Sequence, residues 1–287
     1  NKDLIKHEGK SYVAEFIRFR GSALQVTALA ANEVDVAALA FSSFATALQN
    51  ARLPIVAIAD IFQDGPWYST IYGVLDNSGI NSLKDLKGKV VGVNAFGGAV
   101  DVAARIMLLK NGLKPGKDVS MIEARFGAQE AMLRAGKVDV GSFVAPLWAK
   151  AQRKGGIRPL FYQRDAMGTT EMIFHVAKKG FIRKNRAALV DFYEDYIRAM
   201  RWFMDTANRK EAMDYVSKFT KRPAKAYAKW AMKEKTGYYH DLSARLNLKA
   251  LQRNVDQLHS LKFLKNRLDI PSVVDESVIK EAAARLK

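Results

Sequence analysis

The 287 residues, 49% hydrophobic and 26% charged, suffice for one large α/β domain or two lobes with ample core, in a composition ordinary for a globular protein. The absence of cysteine excludes thiolate nucleophiles, iron–sulfur clusters, cysteine zinc sites and disulfides, and the four scattered histidines, His7, His175, His240 and His259, give a metal cluster little to build from, so no metal and no cofactor is expected. The net charge of +17 would attract polyanions, but the basic residues are spread along the chain and sit beside acids, as in Arg209-Lys210-Glu211, without a nucleic-acid recognition motif. The charge reads as a solvated surface able to steer a small anion, with no nucleic acid as partner.

In chain order, Tyr12 to Phe19 alternates apolar and polar residues and predicts an extended segment, and Ser22 to Ala31 a helix. Val34 to Phe41 is a continuous apolar run expected as a buried strand, and Ser42-Ser43 follows as a helix N-cap before Phe44 to Asn50. Pro54 to Ile61 predicts a third strand, Gln63-Asp64-Gly65-Pro66 a turn, Trp67 to Leu75 a strand exposed on one side, and Asp76 to Gly79 a linker. The stretch Ser82 to Gly112 reads as a short helix, a buried strand Val90 to Val93, a glycine loop and a helix closed by Asn111-Gly112. In that loop Gly97 and Gly98 allow tight turning and close approach of backbone to a ligand, or serve only the turn itself.

Val119 to Ala124 predicts a strand, Ala128 to Ala135 a helix and Val138 to Val144 a buried strand, with Pro146 in the first turn of the next helix. Ala-Asn-Glu-Val-Asp-Val-Ala-Ala at 31–38 is echoed by Ala-Gly-Lys-Val-Asp-Val-Gly-Ser at 135–142, and the two copies imply two similar lobes. Short strands are expected at Arg158 to Phe161 and Glu171 to Ala177. Helices follow at Ile182 to Thr206, Arg209 to Phe219, Pro223 to Lys235, Leu248 to Leu261 and Val278 to Leu286, with Phe192, Tyr193, Tyr196, Trp202, Phe203 and Trp230 at core spacing.

The run Leu83-Lys-Asp-Leu-Lys-Gly-Lys89, Val90-Val-Gly-Val, the glycine loop, Leu108-Leu-Lys-Asn-Gly-Leu113, Pro115-Gly-Lys-Asp-Val119 and Ala135-Gly-Lys-Val-Asp139 resembles the periplasmic substrate-binding proteins of ABC importers, within the nitrate, taurine and alkanesulfonate group that also holds thiamine-precursor binders. Ala30-Ala-Asn-Glu-Val-Asp35 and Arg198-Ala-Met-Arg-Trp202 extend the likeness over nearly the whole chain. The resemblance implies an α/β type II fold with mostly parallel sheets, lobe one from residues 1–76 and 175–287, lobe two from 77–174, and a two-segment hinge near Leu75 to Asn81 and Thr169 to Phe174. It also implies a leader, a first strand and a ligand loop upstream of Asn1. A periplasmic or lipid-anchored monomer would hold a small organic anion between its lobes, close on it, and deliver it to a membrane permease without catalysis. An enzyme on the same scaffold, acting on a small pyrimidine or sulfinate, is the alternative.

On that footing the ligand residues are expected at strand ends: Phe41, Ser42 and Ser43 from lobe one, and Asn94, Phe96, Gly97, Gly98 and Ala99 from lobe two. Arg125 beside a strand end suits a two-bond clamp on a carboxylate or sulfonate, or is a surface arginine. Trp67 and Tyr68 are placed to stack on a ligand or to pack, and Glu171 to hold a cationic group or lock the crossover.

Overall fold

The computed structural model describes residues 3–19, 21–221, 223–227, 231 and 237–286. Its strands are β1 (Val36–Ala40), β2 (Ile55–Asp64), β3 (Ile71–Leu75), β4 (Val90–Val93), β5 (Ser120–Glu123), β6 (Gly141–Phe143), β7 (Ile157–Tyr162) and β8 (Thr170–Lys178). Its α-helices are α1 (Ser22–Ala30), α2 (Phe41–Asn50), α3 (Ala99–Lys110), α4 (Phe126–Arg134), α5 (Ala145–Lys154), α6 (Gln163–Met167), α7 (Lys179–Lys184), α8 (Arg186–Met204), α9 (Arg209–Thr220), α10 (Leu248–Ser260) and α11 (Ser277–Ala284). The chain divides into two compact units, one of Asn1–Gln63, Glu171–Lys225 and His240–Lys287, the other of Asp64–Thr170 and Ala226–Tyr239. These divisions stand at 63/64 and 170/171, beside the sequence reading's 76/77 and 174/175, and they add Ala226–Tyr239 to the second unit.

Unit one is built on a sheet of order β1-β8-β2, in which β1 runs antiparallel to β8 with Val36 opposite Ala177 and Ala40 opposite Ile173. Pleat alternation aims Val56 and Ile58 of β2 at one face, where they meet Leu189, Val190, Tyr193 and Ile197 of α8 and Val278, Ile279 and Ala282 of α11. The α8 contacts recur at one-turn spacing, the signature of a helix laying one stripe on a sheet. The backbone N–H groups of Ala38 and Ala40 on β1 donate to Gln25 Oε1 at 2.9 Å and Ser22 Oγ at 3.1 Å, so α1 side chains cover donors that a bare strand edge would leave unpaired.

The expected extended segment Tyr12 to Phe19 is not in a ladder: residues 13–19 carry no regular structure, and Val13, Phe16 and Ile17 are exposed. What holds the chain before it is α8, because the Asp195 carboxylate accepts the Lys6 and His7 amides at 3.0 and 2.9 Å and the Tyr12 hydroxyl at 2.9 Å.

Unit two holds a sheet of order β6-β3-β7, antiparallel throughout, and a parallel pair β4-β5 with Val90 opposite Ser120. A parallel bridge from Val91 to Val140 continues β4 on its other side, as its unbroken apolar run predicts. Ile71, Leu133, Val138, Phe143, Trp148, Ala151 and Ile157 form the core. Gly92 is required here, since a Cβ would lie 2.5 Å from the Gln129 Oε1 that packs over the strand.

Several local readings change. Gln63 and Asp64 belong to β2 and not to a turn, because the buried Asp64 carboxylate finds donors in Ser69 and Thr70. The single helix expected over 182–206 is two, parted at Asn185, and α6 was not anticipated. Of the helix expected at 223–235, a 3-10 turn Ala224–Ala226 is described and most of the remainder, Trp230 included, lies outside the described residues.

Candidate functional site

Each unit presents a strand-to-helix turn, after the antiparallel-paired β1 in unit one and after the parallel-paired β4 in unit two, and the two differ in electrostatics. In unit one β1 passes directly into α2: Ala40 is the N-cap in extended geometry, so Phe41 and Ser42 stand inside the first turn and the serines are not the cap that the sequence suggests. Phe41 fills the core at 0% exposure, Ser42 is buried and Ser43 half-buried. The first turn of α2 has no acidic residue and no side-chain cap, and among the described residues the buried Ser42 hydroxyl has no hydrogen-bond partner. A helix start with a positive dipole end, no neutralising carboxylate and an unused hydroxyl suits a small anion.

In unit two the loop Asn94 to Gly98 joins β4 to α3. Gly97 takes the left-handed φ of 71° that side chains disfavour, and Gly98 caps α3 in extended geometry with Ala99 opening the helix. Here the chain's own acids occupy the donors. Phe96 N–H donates to Glu123, Gly97 N–H to Asp101 Oδ2 at 2.9 Å, and Gly98 N–H to Ala95 O at 3.3 Å. Asp101 is fully buried and also receives Arg105 Nε at 2.8 and 2.9 Å, while the Arg105 guanidinium lies 5.9 Å from the Phe96 ring centre. Asn94 Oδ1 is a buried acceptor without a donor among the described residues.

Arg125 is exposed at the N-cap of α4, and among the described residues no acid pairs with it. Trp67 and Tyr68 are half-buried in an aromatic group, Trp67 edge-on to Tyr239 at 5.2 Å and Tyr68 edge-on to Tyr238 at 5.0 Å. Beside them Asp64 is fully buried, accepting Ser69 Oγ at 2.5 Å, Thr70 N at 2.8 Å and Thr70 Oγ1 at 2.8 Å. Burial pushes its carboxyl up to about 6 against the pull of those donors.

Glu171 is fully buried in unit one, with one oxygen accepting Asn247 N at 2.7 Å and a hydrogen bond to Asp60. Burial first, and then Asp60, hold its carboxyl well above the usual carboxylate range. That arrangement suits the crossover lock and leaves no accessible carboxylate for a cationic ligand group. Sequence reasoning missed Asp60, Asp64, Asp101 and Glu123; an acid inside or closing an apolar run, or in the first turn of a helix, was the available signal.

The model of the family described as NMT1/THI5 like matches residues 15–209, well over half of the chain. Compared with curated protein sequences, the chain finds no significant match. Among solved structures it is similar to the periplasmic aliphatic sulphonate-binding protein SsuA of Escherichia coli, with 19% identity, 96% of this chain and 85% of that one covered and a TM-score of 0.71. It is similar to the ligand-binding component of an ABC-type import system of Staphylococcus aureus, whose structure has zinc bound, at 16% identity, with coverage of 98% and 92% and a TM-score of 0.75. The periplasmic nitrate-binding protein NrtA of Synechocystis PCC 6803 follows at 15% identity, with coverage of 95% and 80% and a TM-score of 0.72. With two α/β units, a backbone similar to these proteins over nearly its whole length and a family match across both units, the chain belongs to the NMT1/THI5-like family and has the fold of the periplasmic binding proteins.

Proposed function

We propose that the chain is an extracytoplasmic solute receptor that captures a small organic anion, a sulfonate or carboxylate, and delivers it to the permease of an ABC transporter. The observation that carries the anion is the β1–α2 turn, where an acid-free helix start adjoins the buried, unpartnered Ser42 hydroxyl. Neighbours whose names specify sulphonate and nitrate binding support the same ligand class. In this reading Phe41, Ser42 and Ser43 receive the charged group, Asn94, Phe96, Gly97, Gly98 and Ala99 contribute a polar backbone surface, and Trp67 and Tyr68 flank the ligand's apolar part. Arg125 adds positive charge, and Glu171 acts through the segments it fastens. Binding and release require no bond to be broken.

A thermal-shift screen over sulfonates, aliphatic and aromatic carboxylates, nitrate, bicarbonate and pyrimidines tests the proposal. A true ligand at a hundred times its Kd adds about 2.7 kcal/mol of stability. Ser42→Ala is expected to weaken the best anion about fivefold, the worth of one hydrogen bond, while leaving the unliganded midpoint unchanged. Stabilisation by pyrimidines alone, or turnover of any candidate, overturns the anion-receptor reading.

A further inference from the structure

Asp60 of β2 and Glu171 of β8 lie on neighbouring strands of the unit-one sheet, exposed by only 2% and 0%. One oxygen of each is accounted for: Asp60 Oδ2 accepts Asp241 N at 3.0 Å, and Glu171 Oε2 accepts Asn247 N at 2.7 Å. The other two, Asp60 Oδ1 and Glu171 Oε1, are buried and receive no other donor among the described residues, yet the two side chains hydrogen-bond each other. Two carboxyl groups can do so only if one carries a proton, because two buried carboxylates side by side repel and have no donor to offer.

Among the described residues the surroundings supply no cation to relieve them. The groups facing the pair are Asp241, which raises both carboxyls further, and the Tyr196 ring of α8, while the His240 ring is engaged with Ile61 O at 2.6 Å. Arg245 pairs with Glu276 at 2.8 Å and not with either acid.

We propose that Asp60 and Glu171 form a one-proton latch that fastens the segment His240–Asn247 to β2 and β8 of unit one. Four further bonds show what it fastens: Asp60 N–H donates to Ala244 O at 2.9 Å, Glu171 N–H to Asn254 Oδ1 at 3.1 Å, Asn247 Nδ2 to Gln63 Oε1 at 3.0 Å, and Ala250 N–H to Asn247 Oδ1 at 3.0 Å. The chain passes between its two units at 63/64, 170/171, 225/226 and 239/240, and all but the third of these points lie within four residues of a member of the network. The shared proton therefore orders the chain beside three of its four passages between the units. The latch goes beyond the receptor reading and stands or falls without it.

Burial raises Asp60 to about 6 and Glu171 further, so the folded pair holds its proton at pH values where the unfolded carboxyls have lost theirs. For carboxyls raised in this way the contribution is fully present below the unfolded values and is lost as pH rises through the folded ones. The test is infrared spectroscopy with hydrogen exchange, followed upward from about pH 5, on the unliganded wild type, Glu171→Gln and Asp60→Asn, loss of a band in both variants separating the pair from Asp64, which is raised to about 6. The wild type is expected to show a protonated-carboxyl carbonyl band that either substitution removes, and protection factors at the Asp241 and Asn247 amides, taken against the intrinsic exchange rate at each pH, that fall at least tenfold as the pH is raised until the band disappears. In Glu171→Gln the side-chain amide replaces the proton donor, so protection becomes independent of pH. A wild type whose protonated-carboxyl absorption matches that of both variants at every pH, or a Glu171→Gln variant that loses protection with pH in parallel with the wild type, overturns the latch. Should both variants fail to fold, the wild-type band and its disappearance with the two amides' protection decide alone.

Discussion

The β1–α2 turn and the β4–α3 loop each carry the chain from a strand into a helix, yet one leaves its helix start open and the other closes it from within. At α3 the buried Asp101 accepts the Gly97 amide and Glu123 the Phe96 amide, so these two donors of the loop are spent before any ligand arrives. At α2 no acid stands in the first turn and the Ser42 hydroxyl is unused. A glycine loop is therefore not the better anion site merely because its backbone is accessible; what decides is whether the chain's own carboxylates already hold the N–H groups. The loop first singled out by its glycines has an acid-lined start, which suits a donor or an uncharged part of a ligand better than a second anion.

Moving the acid is the strongest way to break the contrast. Ser43→Asp places a carboxylate in the first turn of α2 as Asp101 stands in α3, and two like charges a few ångströms apart near a surface repel by about 3 kcal/mol. Anion affinity by calorimetry is expected to fall roughly a hundredfold, whereas the neutral Ser43→Asn stays near the wild type. Equal loss in both variants would reduce the effect to shape.

The converse change acts on stability. Asp101→Asn leaves Arg105, 26% exposed, without its counter-charge and weakens the hold on Gly97, at a cost of about 2 kcal/mol once partial solvation of the arginine is allowed for. Thermal unfolding is expected about 5 °C lower, with anion affinity unchanged or slightly improved. A tenfold fall in affinity would show Asp101 itself holding a donor of the ligand.

Much of this fold was legible because periodicity reports burial. The apolar run at Val90 to Val93 became a parallel strand, and Leu189, Val190, Tyr193 and Ile197 became the buried stripe of α8. The failures share a cause. Tyr12 to Phe19 alternates like a strand, but alternation states only what a strand would bury and not whether a partner edge is free; on β1 the Ala38 and Ala40 amides are held by Gln25 and Ser22. Ser42-Ser43 reads as a cap because serine caps helices, yet the chain turned two residues earlier, at Ala40. Asp60 escaped because its partners lie far off in the sequence, whereas Asp64 with Ser69 and Thr70, and Asp101 with Arg105 one turn on, were local pairs that an apolar run and a glycine loop overshadowed. Local composition sets the elements; the polar pairs that fix the candidate site are tertiary.

Arg125 gives the smallest and sharpest test of the contrast, since it is the cation that most invites an anion to the acid-lined unit. Its guanidinium is exposed at the N-cap of α4, where water and salt screen it. A steering charge of that kind is worth roughly 0.5 kcal/mol, whereas a desolvated two-bond clamp on a sulfonate is worth about 2 kcal/mol or more. The exposure favours the lower figure. Arg125→Ala is therefore expected to leave the thermal midpoint unchanged and weaken anion binding about two- to threefold through a slower association rate, with the difference vanishing at high ionic strength in stopped-flow measurements. A loss of tenfold or more that persists in salt and resides in dissociation would make Arg125 a clamp. It would also place a second anion contact in the unit whose glycine loop is closed by its own acids.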